Sequence, residues 1–400
     1  MHPPRDPNNL LKLYKEVKSL FKSIDFKDPQ ILSASPPSVF IGRVGYPYVN
    51  VGILSPVRDV PNPELYDAPS TWSNKNYSIN QIISLRASLV NSRFKAQVKA
   101  SSKFLDISQE VGMASKPVDL EIDLKRKPNF NMQFGKISLP MGPSAEIKSV
   151  ELTGNPKIHT KVDKVNSDTD LKASEALDYL YKNNFEVDFL SKILSIGSIG
   201  LKTNRKLVPT KWSITATDDI VGKYLIKEVK KHNILNDYWI FFDNYLGNYY
   251  FILLFPEVFS YELFEAYMPL NLQNQNSKLQ TAHDFEFYSG RKDYADDTVG
   301  GYYACRLAIL EKLKLLRKQA TALVFRFVTN EYSTPLGVWV CRQTTRKALE
   351  KQGLKFESKE LMLKNLKNLI LDKFNYNIEN LLKEANLLKN INQQTKLTSF

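Results

Sequence analysis

A mixed α/β fold is predicted, with a Pro/Gly-rich N-terminal part, a more regular C-terminal α/β part and a flexible C-terminal tail. Three observations predict it. In residues 171–356, apolar runs of strand length alternate with stretches of helical spacing. In "SASPPSVFIGRVGYPYVNVGILSPVRDVPNPELYDAPSTW", prolines and glycines crowd between short extended pieces. After Lys389 the apolar periodicity stops.

The elements follow in order. Residues 8–22 read as an amphipathic helix. Val39–Ile41 and Tyr48–Ile53 are short strands between turns. Residues 79–94 and 103–114 have helical spacing, and "VDLEIDLK" alternates at period two, so Val118–Lys125 is a strand. Residues 128–170, rich in Pro, Gly, Asn and Ser, read as an irregular joint. Residues 172–196 give two short helices. "TKWSIT" reads as a strand leading into a helix at Asp218–Lys231, with Asp218 or Asp219 as its N-cap. "YWIFFD" and "YYFILLF" are apolar strands joined by "NYLGN", a hairpin signal. "HDFEFY" is a further strand, 302–319 a helix, "ALVFRFV" a strand and 337–350 a helix. Residues 357–389 carry leucine and lysine at helical spacing, as a packed hairpin or a mobile arm. The expected organisation is an N-terminal portion (1–127), the joint (128–170), an α/β core (171–356), a helical segment (357–389) and a tail (390–400).

Composition narrows the function classes. The formal net charge is +13 and the pI about 9.3, which favours polyanionic partners. Only Cys305 and Cys341 are present, and no C-x-x-C occurs, which excludes a Cys-based zinc finger. The first residues lack the apolar core of a secretory signal, and the longest apolar stretch is broken at Pro256 and Glu257. A cytoplasmic protein without a membrane partner is expected. No P-loop or dinucleotide-binding glycine pattern is found.

The ending "NQQTKLTSF" stands out because Leu397 and Phe400 are apolar residues in a polar tail. With three residues per turn, a single 3₁₀ turn puts both on one side as a two-pronged plug, and the Gln394 amide reaches the pocket rim. The pattern Q-x-x-L-x-x-F resembles the peptide by which replication and repair proteins dock on the sliding clamp PCNA. Gln393, Gln394, Leu397 and Phe400 are the expected docking residues. The usual motif ends in two adjacent aromatics; here the chain stops after one.

Four longer blocks, "SPPSVFIGRVGYPYVNVG" (35–52), "NRKLVPTKWSITATDDIVGK" (204–223), "GGYYACRLAILEKL" (300–313) and "EYSTPLGVW" (331–339), resemble the archaeal Nre proteins over residues 30–350. The resemblance implies a DNA-repair role linked to survival of DNA damage, with a C-terminal clamp peptide. Some members carry an N-terminal Cys-rich zinc element; this chain lacks it. The resemblance brings no catalytic residues with it.

Chemistry is therefore read from residue types. In "HDFEFYSGRK" the strand period puts Asp284 and Glu286 on one face, followed by Arg291 and Lys292. Two carboxylates and a lysine suit Mg²⁺ or Mn²⁺ and a phosphodiester, so Asp284, Glu286 and Lys292 are the catalytic candidates for a metal-dependent nuclease. A solvated strand face is the competing reading. Gly300-Gly301 opens a helix and is either an anion cradle or an ordinary loop. Arg306 lies inside an apolar helical arc, and Arg326 lies between Phe325 and Phe327. Such arginines meet buried acids or line a cleft. With Arg43, Arg205, Lys211, Arg291 and Arg342 they form the candidate DNA- or anion-binding set. Three function classes remain: a DNA-binding repair factor tethered to PCNA, the nuclease, and a non-enzymatic clamp adaptor. A nucleotide or small-anion enzyme using the arginines is a fourth.

Overall fold

The computed structural model describes residues 29–128, 142–269 and 279–393, together with Lys15 and Ser19. Apart from Lys15 and Ser19, the expected helix over 8–22 lies outside the described residues, as does the tail beyond Gln393. The fold is mixed α/β, and the described chain divides into two compact units. The first holds residues up to Val221 with Pro335–Gly337; the second begins at Gly222 and takes the rest.

The first unit carries β1 (Gln30–Ser35), β2 (Ser38–Ile41), β3 (Tyr48–Pro56), α1 (Pro69–Asn74), α2 (Ile79–Ala87), β4 (Leu89–Gln97), α3 (Lys103–Met113), β5 (Val118–Leu124), β6 (Ser144–Leu152), α4 (Thr160–Ser167), α5 (Ala173–Lys182), α6 (Val187–Ser195) and the start of α7 (Thr210–Val229). Its six strands run in the order β1-β5-β6-β4-β3-β2, antiparallel except for β4 beside β6. Pro36 and Pro37 lack the N–H a ladder needs, so they break what would be one long strand into β1 and β2. The sheet curls there: Ser33 and Ser35 of β1 donate hydroxyl bonds to the carbonyls of Pro56 and Leu54 in β3, at 2.6 and 2.7 Å.

Three sequence expectations change in this unit. Residues 79–94 are a helix only to Ala87; Leu89 begins β4, whose buried and exposed residues alternate from Arg93 on. The stretch 128–170 contains β6 and α4, because Ala145, Ile147 and Val150 supply a buried strand face and Val162 and Val165 a helical one. "TKWSIT" is the first turn and a half of α7. Its buried stripe begins with Ser213 and Thr217 and continues through Val221, Leu225 and Val229 at i, i+4 spacing. Small polar residues at the head of that stripe hide the helical period. Asp218 is thus a buried mid-helix residue, not a cap.

The second unit carries β7 (Tyr238–Tyr245), β8 (Asn248–Phe255), β9 (Ser260–Tyr267), β10 (Gln280–Glu286), α8 (Gly300–Leu316), β11 (Thr321–Val328), α9 (Trp339–Glu350), β12 (Leu354–Phe356), α10 (Lys359–Phe374), α11 (Glu379–Glu384) and α12 (Asn386–Gln393). Strand order is β10-β9-β11-β8-β7-β12, with β9 and β11 parallel and the other pairs antiparallel. The "NYLGN" hairpin forms as expected, with Leu246 and Gly247 both at positive φ. β8, β9 and β11 are buried on both faces. One face presents Phe251, Leu253, Phe264, Phe325 and Phe327 to Met362, Leu366, Ile370 and Phe374 of α10 and to Leu381 and Leu388 beyond it. The 357–389 segment is therefore packed, not an arm. Glu262 of β9 caps α12: its carboxylate accepts the Asn386 and Leu387 backbone N–H groups at 3.0 and 2.9 Å. No described helix is long and apolar enough to cross a membrane.

Candidate nucleic-acid interface

The sequence-predicted site residues fall into two groups, one in each unit. In the second unit the acids and arginines neutralise each other. β10 turns Asp284 and Glu286 to one face as its period requires, but that face is buried. Asp284 Oδ1 accepts from Arg291 Nη1 at 2.8 Å, and Oδ2 accepts from the Thr298 N–H and hydroxyl at 2.8 and 2.9 Å. Arg306 Nη1 lies 3.1 Å from both Glu286 oxygens, each side chain about 2% exposed. Gly222 leaves room for that guanidinium; a Cβ there would stand 3.2 Å from Arg306 Nη2.

Arg326 Nη1 meets Glu265 Oε1 at 2.5 Å, while its Nε and Nη2 both donate to Asn248 Oδ1. Tyr267 completes the set by donating to Glu265 Oε2. Arg342 is fully buried in α9. Lys292 is exposed on the turn after β10. Gly300 and Gly301 are buried, and a Cβ on Gly301 would meet Glu265 Oε1 at 2.5 Å. Those glycines allow α8 to approach a carboxylate, which is the opposite of an anion cradle. Among the described residues no group of three or more His, Cys, Asp or Glu could hold a metal ion.

The first unit holds Arg43, Arg205 and Lys211 of the predicted set. Arg205 is occupied, donating to the carbonyls of Gly200, Asn166 and Asp168. Arg43 is different. It stands exposed on the turn joining β2 to β3, where Gly45 takes φ +83° and a Cβ would strike the Tyr48 carbonyl at 2.8 Å. That turn brings Arg43 beside Lys211. Partial burial lowers the Lys211 pKa, and the Arg43 charge lowers it further. None of the ion pairs described involves either cation.

Aromatic residues surround this pair. Tyr46 and Trp212 lie with ring centroids 5.3 Å apart, 39% and 44% exposed. Tyr48, 66% exposed, continues onto the outward face of the sheet. There register pairs it with Gln97, Asn50 with Lys95, and Gly52 with Arg93, so exposed Lys95 and Arg93 share its face. Sequence reasoning found Arg43 and Lys211 but missed Tyr46, Tyr48, Arg93, Lys95 and Trp212. The available signal was aromatic interleaving, in Arg43-x-x-Tyr46-x-Tyr48 and Lys211-Trp212.

The family model described as "Archaeal Nre, N-terminal" matches residues 6–274, and "Archaeal Nre, C-terminal" matches residues 286–400. The DNA repair protein NreB of Archaeoglobus fulgidus is 35% identical over 91% of this chain and 90% of its own length. The DNA repair protein NreA of the same organism is 40% identical over 83% of each chain. The DNA repair protein NreA of Haloferax volcanii is 37% identical over 78% of this chain and 77% of its own. No solved structure matches. Both family models and three relatives matched over most of their length agree on one assignment: the chain belongs to the archaeal Nre family.

Proposed function

We infer that the chain is a DNA-repair protein that binds DNA on the Arg43–Lys211 surface and docks on the PCNA clamp through its last residues. The repair role follows the relatives, each named a DNA repair protein and each aligned over most of its length. The observation that carries DNA binding is two neighbouring cations that take part in no ion pair among the described residues, set beside exposed aromatic rings. Phosphates supply the missing negative charge, and rings accommodate the sugar and base. The +13 net charge raises the encounter rate with any polyanion.

Clamp docking rests on the Q-x-x-L-x-x-F ending and on its setting. α12 is fixed to the second sheet by Glu262 and by buried Leu387 and Leu388, and ends at exposed Gln393. The docking peptide thus follows an anchored helix directly in the chain. The C-terminal family model extends to residue 400, so the ending falls within the family's own pattern.

The nuclease reading is weaker. Asp284 and Glu286 are each occupied by an arginine, and each would have to release that partner before it took up Mg²⁺ or Mn²⁺. We assign them to ion pairing. The DNA-binding reading predicts an affinity for duplex or single-stranded DNA that falls linearly in log–log form with salt. The slope reports roughly 0.7–0.9 per phosphate contacted. Fluorescence anisotropy over a salt series checks this. A flat response, or no binding at low salt, would favour the adaptor.

A further inference from the structure

We propose that the Tyr46–Trp212 pair is a stacking platform for an unpaired base, so that the site takes DNA with a single-stranded segment in preference to uninterrupted duplex. This deepens the DNA-binding reading above and rests on it. Three observations carry it. The two rings are neighbours at 5.3 Å with an interplanar angle of 57°, so they form an open, tilted pair instead of a closed stack. Both remain substantially exposed, although Trp212 belongs to a twenty-residue helix whose other face is buried. Exposed aromatic side chains that lie together, unlike ones scattered singly, mark a surface that binds something. Arg43 and Lys211 flank the pair and give it charge complementary to a phosphate backbone.

The geometry separates two occupants. An intact duplex offers its phosphates to a surface but keeps its base faces stacked inside. Only a base displaced from the helix, or one in a single strand, can offer a π-face to Trp212. Exposed Tyr48, Lys95 and Arg93 continue the surface along β3 and β4 in the same alternation of ring and cation. A strand crossing the turn would meet a ring, then cations, then a further ring. Duplex readers work differently, with an α-helix or ribbon entering a groove to reach base edges. The turn at Arg43–Tyr46 is too short for that.

The test is equilibrium binding of the full chain to dye-labelled oligothymidylate and to a blunt duplex of equal length, at one salt concentration. Wild type should bind oligothymidylate more tightly than duplex. Trp212→Ala and Tyr46→Ala should each weaken oligothymidylate by at least about five-fold, the lower end of what one stacked base contributes. They should change duplex affinity by less than about two-fold, since phosphate contacts remain. Trp212→Phe should keep most of the affinity. Binding should also quench tryptophan emission in wild type and lose that quench in Trp212→Phe, which gives a readout if the alanine variant is poorly folded. Equal losses on both substrates would overturn the proposal and leave DNA binding intact. So would equal competition by an oligomer of abasic deoxyribose phosphates. Wild type binding neither substrate would remove the DNA-binding reading and this one together.

Discussion

Arg306→Leu is expected to lower the unfolding free energy of the second unit by about 3–5 kcal/mol. The substitution keeps an apolar side chain in α8 but leaves Glu286 buried with no guanidinium. Both side chains are about 2% exposed, so water cannot replace the lost partner. Lys230, whose pKa is lowered by burial and raised by the Glu286 charge, is held by the Tyr288 carbonyl and stacked over the Tyr288 ring at 4.2 Å. It is not placed to take over. The stranded carboxylate therefore keeps most of its desolvation penalty. Removing both partners, as Arg306→Leu with Glu286→Leu, should recover much of the loss, because an apolar pair of similar volume has no charge to solvate. Urea unfolding of wild type, the single variant and the double variant measures each difference. A single variant within about 1 kcal/mol of wild type would contradict the buried-pair account.

Deleting residues 393–400 is expected to abolish binding to purified PCNA while leaving thermal stability nearly unchanged. The apolar anchors of α12, Leu387 and Leu388, precede the deletion, and Gln393 is exposed. Leu397 and Phe400 each bring roughly 1.5–3 kcal/mol of apolar burial to a clamp pocket. Phe400→Ala should lose most of the affinity, since no second aromatic follows it. Gln394→Ala should lose less, because it exchanges a rim hydrogen bond for water. Calorimetry against the clamp ranks the three. Undiminished binding by the truncated chain would remove the tail from the mechanism.

Much of the second unit was legible from the sequence. β7, β8 and β11 are continuous apolar runs of strand length, and their hairpin carries its turn residues in plain view. Arg306 and Arg326 stood out because an arginine in an apolar arc meets a buried acid or lines a cleft, and each meets an acid. The acids were harder to see. Glu262 and Glu265 lie in β9, where their charges break the apolar run that marks a buried strand. α7 was misread because its buried stripe opens on serine and threonine, which apolar periodicity does not register.

The candidate site was the least legible part. Arg43, Tyr46, Lys211 and Trp212 belong to two segments far apart in the chain, and only the close packing of the β2–β3 turn with the start of α7 unites them. The backbone N–H of Ile41 donating to the Thr210 hydroxyl at 2.9 Å holds those segments together. Nothing local in either segment encodes that bond. Of the seven basic residues in the candidate DNA- or anion-binding set, Arg205, Arg291, Arg306 and Arg326 are engaged by carbonyls or carboxylates and Arg342 is fully buried, whereas Arg43 and Lys211 remain.

The central claim is that Arg43 and Lys211 contact DNA phosphates. The most direct measurement is the salt dependence of DNA affinity for wild type and for Arg43→Gln with Lys211→Gln. Neither residue is described in an ion pair, so the double variant should fold with wild-type stability. The account predicts weaker binding at low salt and a log–log slope shallower by roughly 0.7–0.9 for each charge removed. Wild-type affinity and slope in the double variant would contradict it.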